Sequence, residues 1–590
     1  MASAVSKALI NARQKCLSEE EAYWDPKPDF SRPISARNEA AALSWLLDHQ
    51  AVVCRGGAAD VAELHALCAD YCTRLGALAP PEQQRQQGVE AEAEAGAQGE
   101  GEEPSSSGRT FEEASAEAAL QRWCTDKGLK AMGSPALFAA AAPAAVAPAA
   151  VAGGGAGSGE AATRAPPLRG LRADTGVGPG DVVLHVPVEL LMSYETAKES
   201  DLGKVLTALP LGLGDDSVAL IWTCVERREP EAPAAAWWAS LPQRFSTVLS
   251  ASDADVDAAL AGSPLAAEAG QARRHLAEAF AASQPAFESL LKAYPDYFQP
   301  HWFSWESYLW AAELWYSYGI QVQVAAGDIR TCLVPYLGLM NHHPLPHVVH
   351  FSKVDPASRG LRVRAFRPCA RGRQLFLSYG PYPNSKLLLF YGFALPDNPV
   401  DEVELGELKM PSGPSGTDRR ALLAAAGTSL EGHRLRLPPP GAAASACVSP
   451  SLLAAARVLA ASTDQLRGLK ALPPAQLKAR LTAPLQTAAQ DGASKEGAAA
   501  TTLDAAALAL LQKRVGELLA PAAACAARLR ECGGHAPAIA AAAAEEQQRS
   551  TLQHFAGIYI SGVVGILEAA QRYLQSLQPA ASAATAAAST

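Results

Sequence analysis

Two short segments of this chain carry polar groups where packing alone would write apolar ones. The first, Leu333-Val334-Pro335-Tyr336-Leu337-Gly338-Leu339-Met340-Asn341-His342-His343, is an apolar run that ends in an amide and two imidazoles. Polar groups at the end of a buried run need partners. The second, Leu375-Phe376-Leu377-Ser378-Tyr379-Gly380, is followed by Asn384-Ser385-Lys386-Leu387-Leu388-Leu389-Phe390-Tyr391-Gly392-Phe393, so that two Tyr-Gly pairs stand twelve residues apart. A phenol can accept a hydrogen bond from an amine or orient it, while ring faces stabilise nearby cationic charge. Few charged groups are present, which suits chemistry resting on alignment and exclusion of water.

His342, His343, His347 and His350 place four of the twelve histidines within nine residues. Pro344 and Pro346 break any helix that would align them, no Asp or Glu lies among them, and the His-Glu-x-x-His spacing of zinc hydrolases is missing. No metal is expected, and His347 and His350 read as polar residues of a loop or short strand.

The elements that must position these groups follow from pattern. Val182-Val183-Leu184-His185-Val186 is a β-branched run entered through the turn cluster Gly176-Val177-Gly178-Pro179-Gly180. Those glycines lead into a strand ending at Pro187, whereas a dinucleotide loop needs a helix N-terminus there. Further short strands are expected at Thr331 to Val334, Leu361 to Phe366 and Gln374 to Tyr379. Between 200 and 320 the pattern is helical. Trp305, Tyr308, Leu309, Ala312, Trp315 and Tyr316 fall at helical spacing, as an aromatic stripe facing a core.

Residues 1–80 read as an N-terminal helical segment of unknown role. Residues 81–110, rich in Glu, Gln, Gly and Ser, lack the apolar side chains to offset ordering entropy and read as a disordered linker. An Ala/Pro/Gly tract at 137–167 reads as an inserted low-complexity loop. The main domain is expected over 111–400 and a separate helical domain over 411–590.

Composition narrows the classes. With 50 Lys and Arg against 60 Asp and Glu, the chain of 590 residues has a net charge of −10, so no broad phosphate-binding surface and no nucleic-acid partner is expected. Its 11 cysteines include no Cys-x-x-Cys pair, and the apolar run at Ala8-Leu9-Ile10 is too short for a secretory core; an intracellular place is expected, cytoplasm or chloroplast left open. The uncharged run Phe555 to Leu567, thirteen residues, is short of the roughly twenty needed to span a bilayer. Gly557, Ser561 and Gly565 at four-residue spacing read instead as a closely packed helix of a soluble bundle, with no membrane partner.

Taken in order, five features resemble the SET-domain methyltransferases of the Rubisco large-subunit lysine methyltransferase branch. They are Arg169-Gly170-Leu171-Arg172-Ala173 with Gly180 to Pro187, the Trp-rich helix, Asn341-His342, Ser378-Tyr379-Gly380 and Tyr391-Gly392-Phe393. The resemblance implies an α+β fold: a SET-domain β-fold of short strands with a helical insertion at 200–320, then an all-α C-terminal substrate-binding domain. It implies S-adenosylmethionine as cofactor, held by Gly170, Leu171, Asn341, His342 and Tyr379, with Tyr379 the catalytic phenol and Tyr391 and Phe393 as walls around the substrate. The partner would be a protein, methylated on lysine and not a histone, by a monomeric enzyme. A histidine acceptor, or an inactive peptide-binding module with the same fold, are the other readings. Three positions depart from the family: Gly338 stands where an acid is usual, Tyr318 where an arginine follows Ser317, and Lys386 where a glutamate is frequent.

Overall fold

A computed structural model describes residues 111–138, 168–344, 367–412, 415–438, 443–485, 495–532 and 544–577, with 346–348, 352–365 and short pieces of the first 67 residues. Most of 1–80, all of 81–110, most of 137–167 and His350 lie outside the described residues. The chain forms two compact units and passes between them repeatedly: Met1–Pro242, Pro285–Ser304 and Tyr318–Pro381 make the first, and Gln243–Gln284, Trp305–Ser317 and Tyr382–Thr590 the second.

The first unit holds the sheets. In chain order its strands are β1 (Lys130–Ala131), β2 (Gly133–Phe138), β3 (Leu168–Ala173), β4 (Val182–Pro187), β5 (Met192–Ser193), β6 (Gly319–Ala325), β7 (Asp328–Leu333), β8 (Asn341–His342), β9 (Ser352–Asp355), β10 (Gly360–Arg364) and β11 (Gln374–Leu377). One sheet runs β1-β4-β10-β9-β6-β7-β5 and the other β2-β3-β11-β8. Most neighbours are antiparallel; β6 with β9 and β8 with β11 are parallel. The turn cluster at 176–180 does feed a strand, because Gly180 takes φ +90° and donates from its N–H to Ala365 O, which sets the start of β4. Val183, Leu184, Val186, Leu361, Val363, Leu375 and Leu377 are buried from these strands.

The second unit is helical apart from the pair β12 (Val403–Glu404) and β13 (Arg434–Leu435). Its core gathers Leu452, Ala456 and Leu459 from Pro450–Ala460, Leu511 and Val515 from Lys495–Cys532, and Tyr559, Ile560, Val563 and Leu567 from Ala544–Ser576. Within Ala544–Ser576, Gln548–Ser576 is long and apolar enough to cross a membrane by length and composition, well beyond the thirteen-residue run seen in sequence. The face it buries is the Tyr559-Val563-Leu567 side. The small-residue stripe does not bring another helix close: a β carbon added at Gly557 or Gly565 would meet nothing within 4 Å. The expectation of close packing along that stripe is thereby corrected, since large apolar side chains hold the helix.

In the Trp-rich helix Trp305–Tyr318, Tyr308, Trp310, Leu314 and Trp315 are buried. Tyr316 departs from the expected stripe. It is 41% exposed, and its ring meets Phe390 of the second unit edge to face at 5.4 Å. The same helix buries Glu313, a charge that the aromatic spacing concealed.

Candidate active site

The two polar segments meet in the four-stranded sheet. β8 is only two residues long and runs parallel to β11, with Asn341 opposite Phe376 and His342 opposite Leu377. The chain beyond β8 continues the bridge. His343 N–H donates to Leu377 O at 3.0 Å and His347 N–H to Phe376 O at 2.9 Å. Tyr379 therefore begins just past the end of β11, beside His342, with ring centroids 5.2 Å apart.

Each polar group here has a definite partner. The Asn341 side-chain amide donates to Arg169 O at 2.7 Å, tying β8 to β3. His342 Nδ1 accepts from the Tyr379 N–H at 3.0 Å, so that nitrogen carries no proton. The Tyr379 hydroxyl donates to Met340 O at 2.9 Å. Met340, Asn341, His342 and Tyr379 thus form one hydrogen-bonded knot.

Gly170 lies under this knot. A β carbon there would stand 3.0 Å from Asn341 Nδ2 and would collide with Gln374 Nε2. Gln374 Nε2 is itself buried with no hydrogen-bond partner. A buried amide N–H without an acceptor is uncommon and costs stability unless something satisfies it. Leu171, next in β3, is fully buried, so what it offers at the surface of this cradle is backbone.

The turn before β8 is strained. Tyr336 has φ +70° and ψ −48°, and Leu337 N–H donates to Pro335 O at 2.9 Å, a γ-turn of the unfavourable hand. The buried Tyr336 hydroxyl donates to Gly133 O at 3.1 Å and holds that turn against β2.

His347 lies in the loop beyond β8, as expected, but it is buried there. Its side chain is 3% exposed, its Nδ1 accepts from Phe376 N–H at 3.1 Å, and its ring stacks on that of Phe376. Burial, and to a smaller degree the Arg367 and His343 charges, push its pKa down to about 4, so it is neutral at pH 7. Among the described residues, no group of three or more His, Cys, Asp or Glu side chains could hold a metal.

Tyr391 and Phe393 belong to the second unit. Leu387–Tyr391 is a π-turn, the widened helical turn that recurs at functional sites, and Gly392 ends it at φ +76°. A β carbon at Gly392 would lie 2.5 Å from Ser246 O, so backbone and space both require glycine. Tyr391 shares a hydroxyl hydrogen bond with Tyr382, and burial with that neighbour raises its pKa. Its ring stands 6.0 Å from Tyr382 and 6.3 Å from Phe393. The Lys386 ammonium sits 3.8 Å above the Tyr382 ring, and burial lowers its pKa against the pull of Glu268.

Similarity to known proteins fits this arrangement. No family model matches the chain. It is 28% identical to SET domain-containing protein 4 of Mus musculus over 241 residues, 39% of this chain and 53% of that protein. It is 26% identical to the ribosomal lysine N-methyltransferase set10 of Schizosaccharomyces pombe over 256 residues, 42% and 44% of the two chains. It is 27% identical to the actin-histidine N-methyltransferase of Drosophila melanogaster over 327 residues, 50% and 56%. The chain spans about half the length of these relatives. Among solved structures, the SET domain of LSMT bound to lysine and AdoHcy superposes with a TM-score of 0.55 at 17% identity, covering 79% of this chain and 93% of that one. The chain has the fold of the LSMT SET domain.

Within that SET fold, two of the three departures turn out to be neighbours. A β carbon at Gly338 would stand 2.9 Å from Tyr318 Cδ1 and 3.3 Å from Trp237 Cη2. Gln374, Tyr336 and His347 were not singled out from sequence as site residues. Gln374 had one signal, a polar side chain opening an otherwise apolar strand; the other two gave none, since only their partners distinguish them.

Proposed function

We propose that this SET-domain chain is an S-adenosylmethionine-dependent protein methyltransferase acting most readily on the ε-amine of a lysine in a non-histone protein. The observation that carries the reading is the parallel bridge of β8 to β11, which gathers Asn341, His342 and Tyr379 beside the Gly170 cradle. The residues fit the donor: the unpartnered Gln374 amide and the backbone of Gly170 and Leu171 offer a polar, narrow seat, and Asn341 and His342 border it. Gly170, Leu171, Asn341, His342 and Tyr379 would hold the cofactor, which when bound supplies a methyl group on a sulfonium.

The chain's own task is to align and neutralise the acceptor. A lysine of pKa about 10.4 gives up its proton at pH 7 at a cost of roughly 4.6 kcal/mol, which desolvation reduces. The Tyr379 hydroxyl, anchored on Met340 O, would accept from the amine and point its lone pair along the transfer direction. Tyr391 and Phe393 are the residues proposed to bind the substrate, through aromatic faces that suit a cationic or neutral amine.

A second acceptor is favoured by one finding: actin-histidine N-methyltransferases stand among the relatives beside the ribosomal lysine enzyme. Incubation of the protein with isotopically labelled S-adenosylmethionine and a cell lysate, followed by mapping of the label, separates the readings. Label on lysine supports the proposal, label on histidine replaces the acceptor, and calorimetry that detects no donor binding would favour the inactive peptide-binding module.

A further inference from the structure

The space over Gly338 ties several elements of the first unit into one closed circuit. Gly338 does not take a positive φ, so no backbone strain demands a glycine there; the demand comes from the rings that cover it. Tyr318 and Trp237 meet edge to face, centroids 6.2 Å apart and planes at 66°. Trp237 is fully buried, and its indole N–H has no partner, so packing alone fixes the ring.

The helix that carries it, Ala235–Ser240, is fastened at its other end: Arg169 donates a guanidinium N–H to Ser240 O. The carbonyl of the same Arg169 accepts from the Asn341 amide. From Asn341 the chain runs back through Met340 and Leu339 to Gly338, under Trp237. The circuit encloses the strained turn at Tyr336, which has four internal hydrogen bonds of its own: Leu337 N–H to Pro335 O, Gly338 N–H to Val334 O, Leu339 N–H to Tyr336 O and Met340 N–H to Leu337 O. Such a turn persists only where its surroundings over-determine it.

We infer that Tyr318 and Trp237 are positioning residues for the donor: pressing on Gly338, they hold the turn that delivers Asn341 and His342. The glycine and the tyrosine, which look in sequence like two separate losses from the family pattern, are one exchange, because a side chain at 338 and the ring of residue 318 compete for the same volume. This rests on the donor-binding reading above and concerns the same site.

The test is a double-mutant cycle on the full chain with S-adenosylmethionine, read by calorimetry for donor affinity and by thermal melting for stability. Gly338→Ala should weaken donor binding by about tenfold or more, since overpacking a tight site forces its neighbours to shift. Tyr318→Ala removes the obstacle, so adding Gly338→Ala to it should change affinity by no more than about threefold, a non-additivity expected only of residues in contact. Tyr318→Phe keeps the ring and should bind donor like the unaltered chain. The melting temperatures should show the same non-additive pattern, which tests the steric coupling even where affinity is unmeasurable. The inference is overturned if Gly338→Ala leaves affinity unchanged, or if alanine at 338 costs the same with and without the Tyr318 ring. An unaltered chain that binds no donor overturns the functional proposal and this inference together; one that binds donor but shows additive effects overturns this inference alone.

Discussion

At the scale of single residues, Tyr379 is the side chain on which the chemistry would turn. Its backbone N–H fixes the neutral face of His342, while its hydroxyl is anchored on Met340 O. Replacing it by phenylalanine keeps the ring beside His342 and removes only the hydroxyl. Tyr379→Phe is expected to lower kcat by about a hundredfold or more, in the range typical of a lost proton-handling or orienting group. Donor affinity, measured by calorimetry, should change little. Near-normal turnover would show that the phenol has another task. Lys386 illustrates how a residue's role depends on what it rests on. The sequence shows a reversed charge relative to the family, and the structure shows that charge seated on Tyr382 beside Tyr391.

At the scale of elements, the segment 382–401 of the second unit is held by one buried amide. Asn384 donates through Nδ2 to Leu395 O at 2.9 Å and to Asp401 at 3.0 Å, and its Oδ1 accepts from Leu395 N–H at 2.8 Å. That frame fixes both ends of the π-turn that presents Tyr391, and Gly392 closes it. Gly392→Ala would force an L-residue into left-handed backbone, at about 1–2 kcal/mol, and press a methyl against Ser246 O as well. The expected result is a lower melting temperature and a higher KM for the protein acceptor, with donor affinity unchanged. Arg457 serves the helical core in the same way. Fully buried, it pairs with Asp504 at 2.7 Å and donates to Leu481 O and Ala483 O at 2.6 Å. Arg457→Leu should cost about 3 kcal/mol by chemical denaturation, because it removes the nearer of two arginines on a buried carboxylate, leaving Asp504 with Arg480 at 3.5 Å.

These cases also mark what can be read from the chain alone. The strands at 182–187, 361–364 and 374–377 were legible because β-branched and apolar residues alternate between turn-forming glycines and prolines. The meeting of Asn341 with Tyr379 was legible only through the resemblance, since it depends on a parallel bridge two residues long, too short to leave a periodicity. The Gly557-Ser561-Gly565 stripe misled because spacing reports which residues share a helix face, not whether another element lies against it. Gly338 and Tyr318 look independent for a similar reason: twenty positions apart in sequence, they are joined only by the volume they share.

At the scale of the whole molecule, two buried titratable groups give the units opposite responses to pH. In the first unit His347 has its pKa depressed from 6.5 to about 4 by burial. The unfolded chain binds the extra proton between those values, so this unit loses stability as pH falls from 6.5 towards 4. In the second unit Glu313 is 2% exposed, and burial raises its pKa from 4.5 to about 7 against the hydrogen bonds of Thr247 and Ser250. Here the folded state holds the proton longer, so stability is full below pH 4.5 and is lost as pH rises towards 7. Each effect could reach about 3 kcal/mol, taking 1.36 kcal/mol for each tenfold change in proton affinity. Glu313→Gln keeps a partner for the Thr247 hydroxyl and cannot ionise. It should match the unaltered chain at pH 4.5 and exceed it in melting temperature at pH 8. His347→Asn keeps an acceptor for Phe376 N–H and should remove the loss between pH 6.5 and 4. If unfolding followed by near-ultraviolet circular dichroism across pH 4 to 8 shows either variant tracking the unaltered chain at every pH, the corresponding group is not the source of that unit's pH dependence.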